Sequence, residues 1–480
     1  MPRSKRRYSY YKADLRRYRR RRFIALLLVL AAVGAVGLLW RFESPQLPDA
    51  QQTIAPQPED EKPQPNISAE LSGTATLTDL WIYGTHLSLE GELPFAVELQ
   101  PQSTELVLYG TEGELQSWPL QMMSAEGTVR FYNADKLNTG LELEALAEAE
   151  GWLLLRLHAA DAQGQPVSAE YTLQPGEQPA KDLPFTYYTV TKNGANRCIT
   201  LEAKPMILSD GTQQTGVYLR CAAAQLPADV YDIVIDPGHG GTDAGSLSTD
   251  MRHYEADIVL DVAKRAKTAL EALGYKVLLT RDGTEDPTTK MAYTMYDEDG
   301  RVTLAAGSGA KLCLSIHLNS YDGYMADDQG GVQVYAADHM DYAFAQQLAQ
   351  SVAQHAGSRV STMASYKVMD GVFCRVFTPG DSAELAAEGY EHNFTPYNIP
   401  AGTNYYYIIR ETGGRITGAY IDGRHPHYGE NIYRDSAVGV ESYLCEIGYI
   451  TLNSELKNLL ANPQGYADGL AAAVDARFGG

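Results

Sequence analysis

The chain has 480 residues, and its 39 Lys and Arg against 60 Asp and Glu give a formal net charge of −21. Residues 1–22 contain eleven of the basic residues and a single acid, so the remaining 458 residues hold 28 basic and 59 acidic side chains. This acidic body excludes nucleic acid as its partner, because the phosphate backbone is bound by positive charge. The length is sufficient for two or three domains with proper cores.

The N-terminal segment predicts a membrane anchor. Residues 1–22 form a basic tail, and Phe23 to Trp40 (FIALLLVLAAVGAVGLLW) is a run of 18 residues without a charge, about the minimum for a membrane-spanning helix. The positive-inside rule places the tail in the cytoplasm and everything after Arg41 outside. A cleaved signal peptide, with small residues at Ala31 to Ala35, is the alternative; the apolar run continues past them and favours an uncleaved anchor.

A linker and a β domain follow. Residues 41–68 are rich in Pro, Gln and acids, which predicts a disordered, extended linker. Between residues 69 and 175, short alternating runs such as ELVLYG at Glu105 to Gly110 and WLLLRLHA at Trp152 to Ala159 predict a β-sandwich domain. This region contains no clustered His, Cys or acidic constellation, so its sequence supports only a binding module or a spacer.

Residues 182–227 predict a β-hairpin around Asn193 and Gly194, followed by a strand near Val217 to Cys221. We expect this β-hairpin apron to lie on the domain that follows it. Cys198 and Cys221 are candidates for a disulfide outside the cell, but the total of five cysteines is odd and leaves the pairing open.

From residue 228 onward, strand and helix patterns alternate. The predicted strands are Ile233 to Ile235, Lys276 to Thr280, Leu312 to Ile316, Gly331 to Tyr335 and Ser442 to Ile450. The predicted helices are Ile258 to Leu273, Arg301 to Ala306, Tyr342 to His355, and two that begin near Ser454 and Tyr466. This alternation predicts an α/β domain over residues 228–480, with a largely parallel sheet flanked by helices.

Four ionisable residues are predicted to meet at one edge of this sheet. His239 follows the first strand within a glycine-rich turn, His317 follows the third strand, and Glu446 ends the last strand. Glu255 begins the first helix, so its carboxylate can return to the same edge. Two imidazoles, one carboxylate and an open fourth position are typical of catalytic zinc, which activates water and polarises a carbonyl. Glu446 is then placed to take the proton of the water and pass it to a leaving nitrogen.

Each of these residues alone is explained by a structural role, such as a hydrogen-bonded histidine or a charge at a helix N-terminus. Only the four together favour a metal site. The chain has neither the H-E-x-x-H motif of zincins nor the G-x-S-x-G motif of serine hydrolases. Its motifs DPGHGGTDAG, GYKVLLTRD, RVTLAAGSGAKLCLSIHLNS and CEIGYITLN occur in the order found in zinc-dependent N-acetylmuramoyl-L-alanine amidases. From about Ala228 to Phe478 the chain resembles this family.

The resemblance implies that His239, Glu255 and His317 bind Zn²⁺ and that Glu446 is the catalytic glutamate. It further implies that the substrate is peptidoglycan and that the bond cleaved is the amide between the lactyl group of N-acetylmuramic acid and L-alanine of the stem peptide. The chain departs from the family at Ala306, where Asn is frequent, and at Lys311, where Asp is usual. Neither position would be a metal ligand.

Residues 359–431 form an insert, because the family is commonly shorter at this point. Its Tyr and Gly content predicts a β-rich flap that lines the substrate groove. A lid that moves to uncover the metal, and a packing or partner surface, are the alternatives. Asn319 and Arg434 are candidates for substrate binding, Arg434 through the carboxylates of the stem peptide.

The sequence as a whole therefore predicts a membrane-anchored peptidoglycan amidase whose catalytic domain faces the cell wall, with a regulatory protein as a further partner. Two other functions stay open. One is a different zinc amide hydrolase, carboxypeptidase-like, that acts on wall peptides. The other is a catalytically silent wall-binding or regulatory protein.

Overall fold

The computed structural model describes residues 70–479 except residues 97, 112, 147, 190–195, 209–210, 289–296, 298, 322, 324–327, 393–398, 400 and 414–436. For residues 385 and 388–392 it describes the backbone and not the side chains. The predicted tail, anchor and linker, as well as Arg434, lie outside the described residues. No helix within the described ranges is long and apolar enough to cross a bilayer. All described residues belong to one compact unit.

The N-terminal part of this unit is built from strands. They are β1 (Leu71–Tyr83), β2 (His86–Pro94), β3 (Gln100–Gly110), β4 (Gly113–Ala125), β5 (Thr128–Tyr132), β6 (Leu141–Glu142), β7 (Ala149–Ala160), β8 (Pro166–Pro175), β9 (Phe185–Thr189), β10 (Arg197–Ile207) and β11 (Gln213–Ala223). A short 3₁₀ turn spans Leu137–Thr139, and helix α1 spans Glu177–Asp182.

These strands close on themselves, and the predicted two-layer sandwich is therefore wrong. Strand β1 pairs with both β2 and β8, and the ring continues from β8 through β7, β3, β4 and β5 back to β2. Its apolar core includes Leu77, Leu106, Phe131 and Leu155, all almost fully buried. Alternation with period two indicates only that one face of each strand is buried, which a closed sheet and a sandwich share.

The β-hairpin apron also differs from the prediction in its attachment. Strands β9, β10 and β11 extend the N-terminal sheet, because β11 pairs with β7, and they do not join the sheet of the α/β domain. The predicted turn at Asn193 lies outside the described residues. All five cysteines fall within the described residues and are free thiols. Cys198 lies opposite Ala222, one residue from Cys221, so the two side chains project from opposite faces.

The α/β part contains the other elements. Its strands are β12 (Ile233–Pro237), β13 (Val277–Leu279), β14 (Leu312–Asn319), β15 (Gln333–Tyr335), β16 (Lys367–Met369), β17 (Val372–Phe373), β18 (Val438–Gly439) and β19 (Glu441–Tyr449). Its helices are α2 (Glu255–Ala272), α3 (Arg301–Gly307), α4 (Ala343–Ala356), α5 (Pro379–His392), α6 (Tyr407–Thr412), α7 (Asn453–Ala461) and α8 (Pro463–Phe478).

The described strands of the second sheet follow the order β13-β12-β14-β19-β15-β17-β16. The four from β13 to β19 are mutually parallel, whereas β15 runs antiparallel to β19. Strands β12 and β19 are buried along their whole length and β14 along most of it, as expected when helices cover a parallel sheet. The predicted α/β alternation and largely parallel sheet are confirmed, and the carboxyl ends of β12, β14 and β19 share one edge.

The two sheets are joined by backbone pairing. Strand β18 pairs in parallel with β1, with Ile82 opposite Val438, so the segment before β19 belongs to the N-terminal sheet. Tyr83 of β1 is fully buried in the core of the α/β domain, where its hydroxyl accepts a hydrogen bond from the Ser442 amide. The indole of Trp81 donates to the carbonyl of Gly413 at the end of α6. The β domain and the α/β domain therefore share one interface and part of one core.

Lys311 has a structural role at this interface. Its side chain is buried and its Nζ lies 2.7 Å from Oε1 of Glu144 in the N-terminal part, and 3.5 Å from Oδ1 of Asp232. Burial raises the pKa of both carboxyl groups, and the ammonium opposes that shift. The replacement of the usual Asp by Lys311 is thus matched by an acidic partner from the other domain.

The described part of the insert is not β-rich. It contains the short strands β16 and β17 and the helices α5 and α6, while residues 414–431 lie outside the described residues. Helix α6 packs against β19 and α3. This contact brings the start of α6 to the edge of the sheet where the predicted site lies.

Candidate active site

The turn between β12 and α2 presents His239 in an uncommon backbone conformation. His239 has a φ of 61°, in the left-handed region, and Gly240 and Gly241 after it have φ values of 117° and 61°. Gly238 before it has no room for a side chain, because an added Cβ would lie 2.3 Å from Cε1 of His317. The glycines thus allow a tight turn that places two imidazoles side by side.

Two buried arginines hold this turn by its carbonyl oxygens. Nη2 of Arg281 donates to the carbonyl of Gly238 at 2.7 Å, and Nη2 of Arg301 donates to that of His239 at 2.5 Å. Nη1 of Arg301 also lies 3.3 Å from Oδ1 of the fully buried Asp236. Burial alone would raise the pKa of Asp236, but the charge of Arg301 together with hydrogen bonds from Ser315 and Thr280 outweighs it, and the pKa is lowered. The backbone that carries His239 is therefore fixed by an ion pair beneath it.

Three side chains converge at the carboxyl edge of the sheet. Nε2 of His239 lies 3.0 Å from Oε1 of Glu255, and Nδ1 of His317 lies 3.2 Å from the same oxygen. One ligand atom from each residue lies within 4.8 Å of the other two. The two rings meet edge to face, with centroids 4.9 Å apart. Helix α2 supplies the carboxylate from its first turn, and the turn after β12 and the strand β14 supply the imidazoles.

Neighbouring groups orient these three side chains. Nδ1 of His239 lies 2.9 Å from Oδ2 of Asp243, which leaves Nε2 for the shared point. The two carboxylate oxygens of Glu255 accept hydrogen bonds from the backbone amides of Leu318 and Ser246, each at 2.8 Å. The ligand atoms are thus aimed by contacts that lie outside the triad itself.

The electrostatics of the triad favour a positive charge at its centre. Burial would raise the pKa of Glu255, but hydrogen bonds to both histidines hold its pKa far below the usual range. Burial would lower the pKa of His239, but Asp243 and Glu255 outweigh it and raise the pKa to about 9. The carboxylate is ionised and attracts cations, as a metal ligand must.

The donor set fits Zn²⁺. Nitrogen and oxygen ligands bind zinc at about 2.0–2.2 Å, which sets neighbouring ligands of a tetrahedral site roughly 3.3–3.6 Å apart. The observed separations of 3.0 and 3.2 Å between the imidazole nitrogens and Oε1 of Glu255 are close to that spacing. Three protein ligands leave a fourth position free, which is the arrangement of catalytic rather than structural zinc.

Glu446 lies beside the triad and is buried like Glu255, but it differs from Glu255 in its hydrogen bonds and in its pKa. It is 8 % exposed, and its Oε2 has no hydrogen-bond partner among the described residues. Burial, followed by the negative charge of Glu255, raises the pKa of Glu446 well above the ordinary carboxyl value. A carboxyl group with a raised pKa can both accept and release a proton near neutral pH.

A cavity of about 260 Å³ opens over these residues. His239, Glu255, His317 and Glu446 all lie on its wall, so the structure brings together all four residues that the sequence predicted at this edge. Asn319 also lines it, which agrees with its candidacy for substrate binding but does not test that role. Arg434 lies outside the described residues and stays a prediction.

Tyr406 and Tyr407 from the insert line the cavity, which agrees with the prediction that the insert lines the substrate groove, although the described part of the insert is not β-rich. The two arginines beneath the turn, Arg281 and Arg301, were not predicted and are almost fully buried. Both stand in stretches that match the family motifs, and a buried charge must be paired, so the sequence did hold a signal for them.

An α/β sheet with two histidines and a glutamate at its carboxyl edge, beside a buried second glutamate, defines a site of the type used by metal-dependent hydrolases. Residues 233–377 match the family model described as N-acetylmuramoyl-L-alanine amidase. The chain therefore carries an N-acetylmuramoyl-L-alanine amidase domain over this range, and the family resemblance predicted from the sequence is confirmed.

The chain is also similar to individual amidases. It is 33% identical over 143 residues to N-acetylmuramoyl-L-alanine amidase LytC of Bacillus subtilis, which covers 28% of this chain and 26% of that protein. It is 36% identical over 100 residues to the germination-specific N-acetylmuramoyl-L-alanine amidase of the same organism, covering 20% and 41%. The chain thus spans less than half the length of these relatives.

Among solved structures, that of N-acetylmuramoyl-L-alanine amidase AmiC2 of Nostoc punctiforme matches 53% of this chain and 100% of its own, at 21% identity and a TM-score of 0.32.

Proposed function

We propose that the protein is a zinc-dependent N-acetylmuramoyl-L-alanine amidase. The observation that carries this proposal is the convergence of His239, Glu255 and His317 beside the buried Glu446, in a domain that matches the amidase family model. His239, Glu255 and His317 would hold the metal, and Zn²⁺ bound there supplies an activated water and a polarised carbonyl. The substrate is the amide between the lactyl group of N-acetylmuramic acid and L-alanine.

Glu446 carries the proton in this scheme. Its carboxylate accepts a proton from the attacking water as the bond from oxygen to the carbonyl carbon forms. It then delivers that proton to the nitrogen of L-alanine as the carbon–nitrogen bond breaks, so the products are a lactyl carboxylic acid and a free amine. Burial of Glu446 suits this role, because its raised pKa makes the carboxylate a stronger base in the first step and keeps the proton on the carboxyl group until the leaving nitrogen takes it in the second.

The test is product analysis with the purified full chain and isolated peptidoglycan, with and without a zinc chelator. We expect intact stem peptides that begin with L-alanine, lost on chelation and restored by added Zn²⁺. Release of single C-terminal amino acids instead would identify the carboxypeptidase-like alternative. No release of any peptide would favour the silent wall-binding protein.

The location outside the membrane is a separate proposal. The uncharged run at residues 23–40 and its arginine-rich flank support an anchor with the N-terminus inside and the amidase domain on the wall side. Protease added to intact cells after wall removal should digest the amidase domain; protection of that domain would contradict this location. A regulatory protein partner also stays a prediction, and an unchanged amidase rate after addition of membrane extract would count against it.

A further inference from the structure

Arg375 follows strand β17 in the insert and packs against two tyrosine rings. Its Cζ lies 3.3 Å from the centroid of the Tyr405 ring and 5.1 Å from that of the Tyr366 ring. Backbone hydrogen bonds join the three segments, from the amide of Tyr405 to the carbonyl of Arg375 and from the amide of Cys374 to the carbonyl of Tyr366. Two rings against a planar guanidinium restrict its rotation, so the cation is held in place before a ligand arrives.

Tyr366 adopts an uncommon backbone conformation at this contact. Its φ is 61°, in the left-handed region that residues other than glycine seldom occupy, although the residue is 49 % exposed. Burial of the ring therefore does not explain the conformation, whereas the ring does lie against the guanidinium of Arg375. Tyr405 is held in turn by stacking on Phe377, with ring centroids 5.1 Å apart. Unfavourable backbone geometry at an exposed aromatic residue is typical of sites that hold a functional group in place.

The guanidinium of Arg375 retains hydrogen-bond donors. Of its five N–H groups, one from Nη2 contacts an acceptor in the described part of the chain, Oδ1 of Asp381 at 3.3 Å. Nε is buried without an acceptor there, while Nη1 also has none but remains accessible, in a side chain that is 23 % exposed. The carboxylate of Asp381 is shared, because its Oδ2 accepts from the amide and the hydroxyl of Thr378 at 2.7 and 2.6 Å. Arg375 can therefore bind a second acceptor at Nη1 without losing Asp381.

Ring contacts connect Arg375 to the wall of the active-site cavity. Tyr406 lines that cavity together with Glu446, and its ring meets the ring of Tyr405 edge to face, with centroids 5.5 Å apart. The guanidinium therefore lies outside the cavity wall but only one ring away from Tyr406. The two contacts, of 3.3 and 5.5 Å, together reach no farther than two or three residues of an extended peptide, which advances about 3.3 Å per residue.

The body of the protein is acidic, with 28 basic and 59 acidic side chains after residue 22, so an anionic peptide needs a dedicated cation beside the site. We propose that Arg375 binds a carboxylate on the second or third residue of the stem peptide, and that it thereby selects peptides with a free carboxylate over their carboxamides. A guanidinium and a carboxylate form charge-assisted hydrogen bonds, which a neutral carboxamide does not. This inference rests on the proposed amidase function, and it assigns to a described residue the contact that the sequence predicted for Arg434.

Two substrates that differ only in charge test this contact. One is an N-acetylmuramoyl-L-alanyl tripeptide with a free carboxylate on its second and on its third residue, and the other carries carboxamides at both positions. Arg375→Gln removes the cation, and Arg375→Lys keeps the charge but not the planar guanidinium. Arg265→Gln is the control: Arg265 also pairs with an aspartate, Asp261, and it stands ten residues, or about 15 Å, along α2 from Glu255.

The experiment measures kcat and KM of the purified full chain on both peptides. For the wild type we expect a KM about tenfold lower for the free carboxylates than for the carboxamides, the effect of one charge-assisted hydrogen bond, with similar kcat. A contact remote from the reacting atoms binds the substrate and the transition state equally, so it acts on KM. Arg375→Gln should raise KM for the free-carboxylate peptide to the carboxamide value and leave the carboxamide peptide unchanged. Arg375→Lys should retain part of the preference, and Arg265→Gln all of it.

Several results would overturn this inference. A wild type whose two KM values agree within twofold would exclude the contact while the amidase function stands. Equal losses on both peptides in Arg375→Gln would show that Arg375 supports the fold and does not bind the carboxylate; if that variant does not fold, the full wild-type preference in Arg375→Lys would refute the role of the guanidinium. If neither peptide is cleaved, calorimetry gives both affinities. A carboxylate preference that Arg375→Gln removes would then refute only the amidase function, whereas equal or absent binding would overturn both.

Discussion

Glu255 and Glu446 are two glutamates at one site that are adapted to opposite tasks. Glu255 receives hydrogen bonds from two backbone amides and from two imidazoles, and the imidazoles hold its pKa low and keep it charged. Glu446 is buried with an unpartnered oxygen among the described residues, and its pKa is raised. A pair of carboxyl groups whose environments separate their pKa values in this way divides into a ligand and a proton carrier.

The variant Glu446→Gln separates catalysis from metal binding. Gln keeps the size of the side chain and removes its ability to exchange a proton, so we expect kcat to fall roughly 10²- to 10⁴-fold. Zinc content, measured by atomic absorption, should stay at that of the wild type, because Glu446 is not one of the three converging ligands. Loss of zinc together with activity would instead place Glu446 among the ligands.

Gly245 is a residue whose lack of a side chain the site requires. An added Cβ would lie 2.7 Å from Cδ2 of His239 and 2.8 Å from Oε2 of Glu255, and its φ is 66°. We expect Gly245→Ala to weaken zinc binding by at least about tenfold, because it pushes two ligands apart. Gly357→Ala is the control: its φ is 63°, but nothing lies within 4 Å of the added atom. Both variants should lose about 1 kcal/mol of unfolding free energy from backbone strain. Equal zinc affinity in both would contradict this role of Gly245.

At the scale of elements, local patterns predicted the α/β half well. Strand β14 and helix α2 were predicted within three residues of their observed ends, because apolar periodicity and the stop at Gly274 are local signals. Strand β1 was missed, although it spans Leu71–Tyr83. Its antiparallel pairing with the adjacent β2 is local and could have been predicted, whereas its pairing with the distant β18 leaves no local pattern.

The turn after β12 depends on Arg301 of α3, and this dependence can be tested. Arg301→Met would leave Asp236 buried without its counter-charge, which costs about 3–5 kcal/mol of unfolding free energy by denaturant titration. Zinc affinity should also fall, because the carbonyl of His239 loses its donor. In the double variant Arg301→Met with Asp236→Asn the stability should partly return while zinc affinity stays low. A double variant less stable than Arg301→Met would show that the ion pair does not explain the cost.

At the scale of the whole molecule, the N-terminal sheet is a structural part of the amidase domain. Strand β1 pairs with β18, which directly precedes the strand that carries Glu446, and Tyr83 fills the α/β core. A chain that begins at residue 182 would lack all of these contacts. The domain bounds inferred from the sequence, at residues 175, 182 and 228, follow changes of pattern along the chain. Such changes cannot reveal that one strand crosses from one sheet to the other.

His86 makes the stability of this interface depend on pH. Burial lowers the pKa of His86 below its ordinary value of 6.5, and the nearby Glu142 only partly opposes this. The unfolded chain therefore binds a proton more readily than the folded chain, so the contribution to stability is full above pH 6.5 and is lost as pH falls toward the folded pKa. Between pH 7.5 and 5.5 the wild type should lose more unfolding free energy than His86→Asn. The same substitution at His158, which is 37 % exposed on β7, is the control. An equal loss in the wild type and His86→Asn would refute this assignment.

A single cooperative transition is the strongest consequence of the shared core. Phe131 is fully buried inside the closed ring of strands and belongs to a cluster separate from the α/β core. Phe131→Ala should cost about 3–5 kcal/mol, because it leaves a cavity in that ring. If the two sheets unfold together, the temperature at which amidase activity is lost must fall with the unfolding midpoint of the β domain. Calorimetry should then show one peak that moves as a whole. The contrary result is an activity midpoint that stays at the wild-type temperature while the β domain melts earlier. It would show that β1 and β18 separate before the site is lost. The amidase domain would then be stable without the β domain.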